Sequence, residues 1–189
     1  MSDSEGRRYQ VFVQEQHGAP HRDAGTVHAP DGELALLNAR DVFVRRPSCV
    51  SLWVVPIEAI LFLTAEQLAG GLPHTPVHAH QPYHVFAKER PAGALSWLAT
   101  FGADSPAAAL RQALLTYTNR LAPSFWAVFP AQAVIASSLQ EAASLFEPAA
   151  DKGFRSSTHF HTHTVMRRLL KTNPQEPAEA VDAAGEAEA

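Results

Sequence analysis

The residues best placed to do chemistry are histidines. Within Thr158–Thr164, His159, His161 and His163 alternate, and in a strand all three rings would project from one face, near enough to share a zinc or nickel ion. His74, His78, His80 and His84 form a looser echo earlier in the chain. Neither group includes a Cys pair or an Asp or Glu to complete a coordination sphere, so rings packed on a partner or facing solvent are the expectation, and no metal is assigned. Asp23 beside His21 and His28 could be written as an acid/base set, but these residues fit the polar end of a hairpin. Cys49 precedes an apolar strand and reads as a small buried group rather than a nucleophile. Trp53, Trp126 and Phe125 read as core rather than as a cofactor cage. The sequence has no Glu-x-x-His, Cys-x-x-Cys, His-Glu-x-x-His, Walker loop or Gly-x-Gly-x-x-Gly. The expectation is no catalytic residue, no cofactor site and no cofactor.

Composition narrows the class. The chain has 189 residues, with 15 Lys plus Arg against 19 Asp plus Glu and a formal charge of -4. Five of the acids (Glu176, Glu179, Asp182, Glu186, Glu188) follow residue 171, where there is no base, so the rest is close to neutral. A nucleic-acid binder would carry a concentrated basic footprint, which is missing. No apolar run approaches the ~18 residues of a membrane span, and the N-terminal residues lack the apolar stretch of a signal peptide. A single cysteine, Cys49, suits a reducing compartment. A cytoplasmic globular protein is expected.

The elements that would position these residues repeat. Tyr9-Gln-Val-Phe12 recurs as Tyr83-His-Val-Phe86, a shift of 74, and at the same shift Thr26, Ala35-Leu36, Ala39, Phe43 and Arg46 find Thr100, Ala109-Leu110, Ala113, Tyr117 and Arg120. Trp53-Val-Val-Pro56 is matched to Trp126-Ala-Val-Phe-Pro130 by a deletion before the Trp and an insertion after it. Residues 9–70 and 83–150 are therefore read as two copies of one module, the second diverged. The alternation of Tyr9–Glu15 predicts a strand, a turn at Gly18 and Pro20 returns the chain as a second strand over Asp23–Ala29, and Asp31 is a helix N-cap. The helix runs to about Arg46, Ser51–Val55 makes a third strand apolar on both faces, and a second helix spans about Ile57 to Ala69. The fold class is α+β: two tandem ββαβα modules, each a three-stranded sheet plus helices, paired about a pseudo-two-fold axis. A right-handed crossover predicts the strand order 2-1-3, with the third strand parallel to the first.

On the first helix Ala35, Leu36, Ala39, Val42 and Phe43 should cover the sheet, while Leu34, Leu37 and Val44 form an opposite stripe interleaved with Arg40 and Asp41. That stripe is expected to be buried by the other copy or by another subunit. A module of about 60 residues is marginal alone, which favours intramolecular pairing. Residues 1–8 are expected to be flexible, 71–82 a linker, 151–171 an extended His-bearing arm and 172–189 a disordered acidic tail.

The first copy resembles the PaaB family, the small subunits of the multicomponent phenylacetyl-CoA epoxidase (ring 1,2-oxygenase). The residues that carry the likeness are Tyr9-x-Val-Phe-Val13, Gly18, His21, Gly25, His28-Ala29, Asp31, Asn38-Ala-Arg-Asp41, Arg45-Arg46, Ser51 and Trp53-Val-Val55. The resemblance implies a non-catalytic subunit that bridges heterodimers of a di-iron catalytic subunit and its structural homologue; the helix stripe supplies Leu34, Leu37, Arg40, Asp41, Val44 and Arg45 as candidate partner contacts. Intramolecular pairing of the two modules implies a monomer or weak dimer when the chain is alone. The second copy departs from the family: Gln112-Ala-Leu-Leu115 replaces Asn38-Ala-Arg-Asp41, and Asn119 replaces Arg45. The competing readings are a stand-alone small-molecule or metal-binding α+β protein, and an accessory subunit of a different aryl-CoA di-iron oxygenase.

Overall fold

The computed structural model describes residues 6–44, 49–88, 90, 92–117, 123–138, 145–146, 164 and 166–169. The chain forms two compact units, Met1–Ala150 and Asp151–Ala189. In the second, Thr164 and residues 166–169 are helical, where an extended arm was expected, with Met166 and Leu169 exposed. His159, His161 and His163, and the expected acidic tail, lie outside the described residues.

The first unit is an α+β fold. Its first half runs β1 (Arg7–Gln14), β2 (Arg22–Ala29), α1 (Gly32–Phe43), β3 (Ser51–Pro56), a 3-10 turn Ile57–Ala59, β4 (Leu61–Thr64) and α2 (Ala65–Ala69). Its second half runs β5 (Gln81–Lys88), β6 (Ser96–Ala103), α3 (Pro106–Tyr117), β7 (Phe125–Pro130), a 3-10 turn Ala131–Ala133 and β8 (Ile135–Ala136). From β5 to β8 every element starts 74 residues after its counterpart. One eight-stranded sheet joins the halves in the order β4-β7-β5-β6-β2-β1-β3-β8, which reads the same from either end when the halves are exchanged.

Local causes are visible in α1. Asp31 is its N-cap, its carboxylate accepting from the Leu34 N–H at 2.8 Å, and the helix ends at Phe43, short of Arg46. Ala35 and Ala39 face the sheet with no exposure, so the helix backbone packs closely on β1 to β3. Val42, expected beneath the helix, is 54% exposed, and Val44, expected outside, is buried. The reason is the C-cap: Val44 leaves helical geometry, and the chain turns inward there.

Three further expectations are corrected. The order 2-1-3 holds, but β3 is antiparallel to β1. The helical crossover starts from β2, so β3 runs parallel to β2, which is itself antiparallel to β1. The predicted helix over Ile57–Ala69 breaks up: Ile57–Ala59 is a single 3-10 turn, Leu61–Thr64 is a strand, and only the five residues after the Thr64 N-cap are α-helical. This β4 pairs with β7 of the second half, while β8 pairs with β3 of the first. Each half therefore receives its outermost strand from the other. Ile135 packs into the first half's core and Leu61 and Leu63 into the second's.

The third correction concerns the tryptophans. The register of β1 with β3 sets Phe12 opposite Trp53 and Val13 opposite Leu52, and the register of β5 with β7 sets Phe86 opposite Ala127 and Ala87 opposite Trp126. The offset stays at 74 without insertion or deletion, so Trp126 occupies the place of Leu52, and Trp53 that of Ala127. A one-residue shift in a strand changes the face. Trp126 lies under α3, whereas Trp53 lies on the opposite side of the sheet.

That opposite side is where the halves meet. Strands β2 and β6 touch only around Arg22 and Ser96, through reciprocal backbone bonds from Asp23 N–H to Leu95 C=O at 2.8 Å and from Trp97 N–H to His21 C=O at 2.9 Å. The sheet curls over this narrow joint, bringing β1 against β5 although two strands separate them. Phe12 and Phe86 meet at 4.4 Å between ring centroids, and Phe129 lies 5.4 and 5.3 Å from them. All three are fully buried with Val55 and Ala127.

Candidate functional site

Because β1 and β5 cross at this aromatic centre, the inner layer has two ends built on equivalent backbone. Both carry an irregularity at matching places, between Val11 and Phe12 and between Val85 and Phe86. The side chains at the two ends are different.

One end is filled. His21 stacks on Trp53 with centroids 3.7 Å apart, and His84 approaches the other way at 5.0 Å. His21 Nε2 lies 3.0 Å from Ser51 Oγ, and His84 Nδ1 lies 2.8 Å from Thr100 Oγ1 across the β5–β6 pair. Burial, reinforced by the nearby His84, lowers the His21 pKa to about 4, and burial lowers that of His84 as well. The Trp97 Nε1–H is buried without a hydrogen-bond partner among the described residues. Aromatic packing here has taken precedence over satisfying that donor.

The other end is open. A groove of about 870 Å³ is lined by Arg8, Gln10, Asp23, Lys88, Leu95 and Phe125, with Phe62 of β4 among its apolar walls. Gln10 replaces His84 at the equivalent position, and Asp23 replaces Trp97. The Gln10 amide donates to Asp23 Oδ1 and, at 3.1 Å, to the Gly25 carbonyl, while the Gly25 N–H donates to Asp23 Oδ1 at 3.0 Å. Burial raises the Asp23 pKa; the bonds from Gln10 and Gly25 and the charge of Lys88 oppose it without prevailing. Gly25 adopts φ of +133°, and an added Cβ would lie 2.9 Å from the Phe43 ring, so this bend under the groove requires glycine.

The residues singled out from sequence are dispersed. Leu34 and Leu37 are exposed on α1, at 41% and 40%, and the second half does not bury them. Beside them Arg40 pairs with the adjacent Asp41 at 3.0 Å. Val44 is core, and Arg45 lies outside the described residues. Asp23, His21 and His28 enter three surroundings: the groove, the Trp53 stack and an exposed strand position. Cys49 is buried and its thiol is pushed up to about 11 by that burial, far from nucleophilic. His80 pairs with Asp104 on the surface at 2.8 Å, and among the described residues no three His, Cys, Asp or Glu gather as a metal site. No helix among the described residues is long and apolar enough to cross a membrane. The groove was missed. Its available signal was the exchange of Asp23 for Trp97 and of Gln10 for His84 between otherwise parallel strands.

The fold is thus that of an α+β protein with two similarly built halves on one curled sheet. Residues 5–73, covering β1 to α2, match the model of the phenylacetic acid degradation B family. The chain is similar to the B subunit of 1,2-phenylacetyl-CoA epoxidase from Escherichia coli (strain K12), with 42% identity over 59 residues, or 31% of this chain. The chain spans 62% of that relative's length. No solved structure matches the chain.

Proposed function

We propose that this protein is a non-catalytic bridging subunit of a multicomponent phenylacetyl-CoA epoxidase-type oxygenase acting in phenylacetate breakdown. It links heterodimers that each consist of a di-iron subunit and that subunit's structural homologue. The observation that carries this reading is the match of residues 5–73 to the phenylacetic acid degradation B family, together with the likeness of 59 residues to the B subunit of an epoxidase. The exposed α1 stripe agrees with it: Leu34, Leu37 and Val42 lie on one helix beside the Arg40–Asp41 pair, an apolar patch with a charged margin.

The chain is further read as a tandem duplication, the second module taking the place of a second copy about a pseudo-two-fold axis. The constant offset of 74 and the palindromic strand order support this. So does a shared detail: Asn38 donates to the His28 carbonyl at 3.0 Å, and Gln112, 74 residues on, donates to the Gly102 carbonyl at 3.1 Å. The longer amide keeps the structural bond of Asn38 where Arg40 and Asp41 have become Leu114 and Leu115. In this reading the first module docks the partners and the second supplies the pairing surface.

Native mass spectrometry of the chain, alone and mixed with the two ferritin-like subunits of such an oxygenase, tests the proposal. A monomer that enters a defined complex is expected, and the Leu34→Asp, Leu37→Asp double variant should lose it while retaining its circular dichroism spectrum. Leu115→Asp on α3, at a position 78% exposed, should leave the complex intact. A chain that never joins, or equal loss from both variants, would overturn the reading.

A further inference from the structure

We propose that the groove at the open end is a binding site for a small organic monoanion, with a carboxylate head held by Arg8 and Lys88 and an apolar body lying against Phe62, Leu95 and Phe125. This assignment does not depend on membership of an oxygenase complex.

Size is the first support. The ~300–1,000 Å³ typical of ligand pockets includes the groove's volume of about 870 Å³. Charge is the second. Among the described residues Arg8 and Lys88 make no ion pair with a carboxylate, although the neighbouring Arg7 does, with Glu58 at 2.8 Å. Two cations outside any ion pair among the described residues therefore border one concave surface, Lys88 acting on Asp23 only at longer range. Among the described residues Asp23 is the only acid lining it, and its carboxyl is already occupied by Gln10 and the Gly25 N–H. Even with Asp23 ionised the described lining residues keep one net positive charge, which suits a single negative charge on the ligand.

The filled end supplies the third support, because it serves as an internal control. There Pro82 and Gln14 stand at the positions equivalent to Arg8 and Lys88, and Trp97 stands at that of Asp23. Neither cation is present where the space is plugged. Opening and positive charge occur together at one end and are lost together at the other, on the same backbone. The apolar wall is also specific to the open end: Phe62 and Phe125 meet at 5.7 Å, and their counterparts are Ala136 and Ser51.

Titration calorimetry of the full chain with benzoate, hexanoate, benzamide and benzylamine tests this. Saturable binding of at least one carboxylate is expected, with benzamide roughly tenfold weaker or more and no binding of benzylamine. Preference for benzoate assigns a flat body, and preference for hexanoate a linear one. Lys88→Met should weaken binding roughly tenfold. Ala94→Trp, at an exposed turn position bordering the groove, should block binding by filling the space, and Leu115→Ala should change nothing. Failure of both carboxylates to saturate, equal binding of benzamide, or undiminished binding in both groove variants with native melting curves would overturn the proposal.

Discussion

The two ends of the inner layer share a backbone and differ in nearly every side chain. At the filled end two imidazoles, Trp53 and Trp97 occupy the space; at the open end Gln10, Asp23 and Lys88 border a groove. The difference teaches that the curled sheet prescribes a place for side chains without prescribing their chemistry. Packing density is held at the centre, by Phe12, Phe86 and Phe129, and is optional on either side of it.

The largest expected effect comes from breaking the shared centre. Phe12→Ala should cost about 3–5 kcal/mol and lower both ends together, because Phe12 touches rings of the second half from a strand of the first. Urea unfolding with one probe near Trp53 and another near Phe125 would show a single shifted transition. Separate transitions would mean that the ends are independent.

Acid should then separate them. His21 is neutral when folded, with a pKa of about 4, against about 6.5 in the unfolded chain, so between these values the unfolded state binds more protons and stability falls as pH falls. The loss should be on the order of 2–3 kcal/mol across that window, and His21→Gln should flatten it. Asp23 acts in the opposite sense. Its raised pKa means that the folded state holds its proton longer, so its contribution is fully present below the ordinary carboxylate range and is lost as pH rises through the raised value. The smallest expected effect is Asp23→Asn, which keeps an acceptor for Gly25 and should raise stability at neutral pH by under about 1 kcal/mol. A decrease would show that the ionised carboxylate is held favourably.

Much of this arrangement was legible in sequence. The 74-residue spacing of the elements, the α+β class, the Asp31 cap, the order 2-1-3 and the family likeness of the first segment follow from residues whose signals are local or periodic. What escaped depends on long-range pairing. Nothing within Leu61–Thr64 distinguishes a helix from a strand that completes the other half's sheet, because its partner, Phe125–Val128, lies some sixty residues away. Aligning the tryptophans by identity concealed the face each occupies, since a shift of one residue is trivial in an alignment and decisive in a strand. Val44 was misplaced because helical periodicity was extended past the residue where the helix stops. The groove escaped for another reason: Arg8, Gln10, Asp23, Lys88 and Phe125 come from four strands and become neighbours only when the sheet curls.

The exchange of outer strands has a consequence for how such a molecule can change over generations. Where two identical chains trade strands, each codon is read into both ends of the assembly, and any alteration must be tolerable in two settings at once. Here both halves are written in one chain, so a substitution at Asp23 leaves Trp97 untouched. The 74-residue offset therefore doubles the number of independently heritable positions behind one interior. The traded strands β4 and β8 meanwhile keep either half from escaping the other.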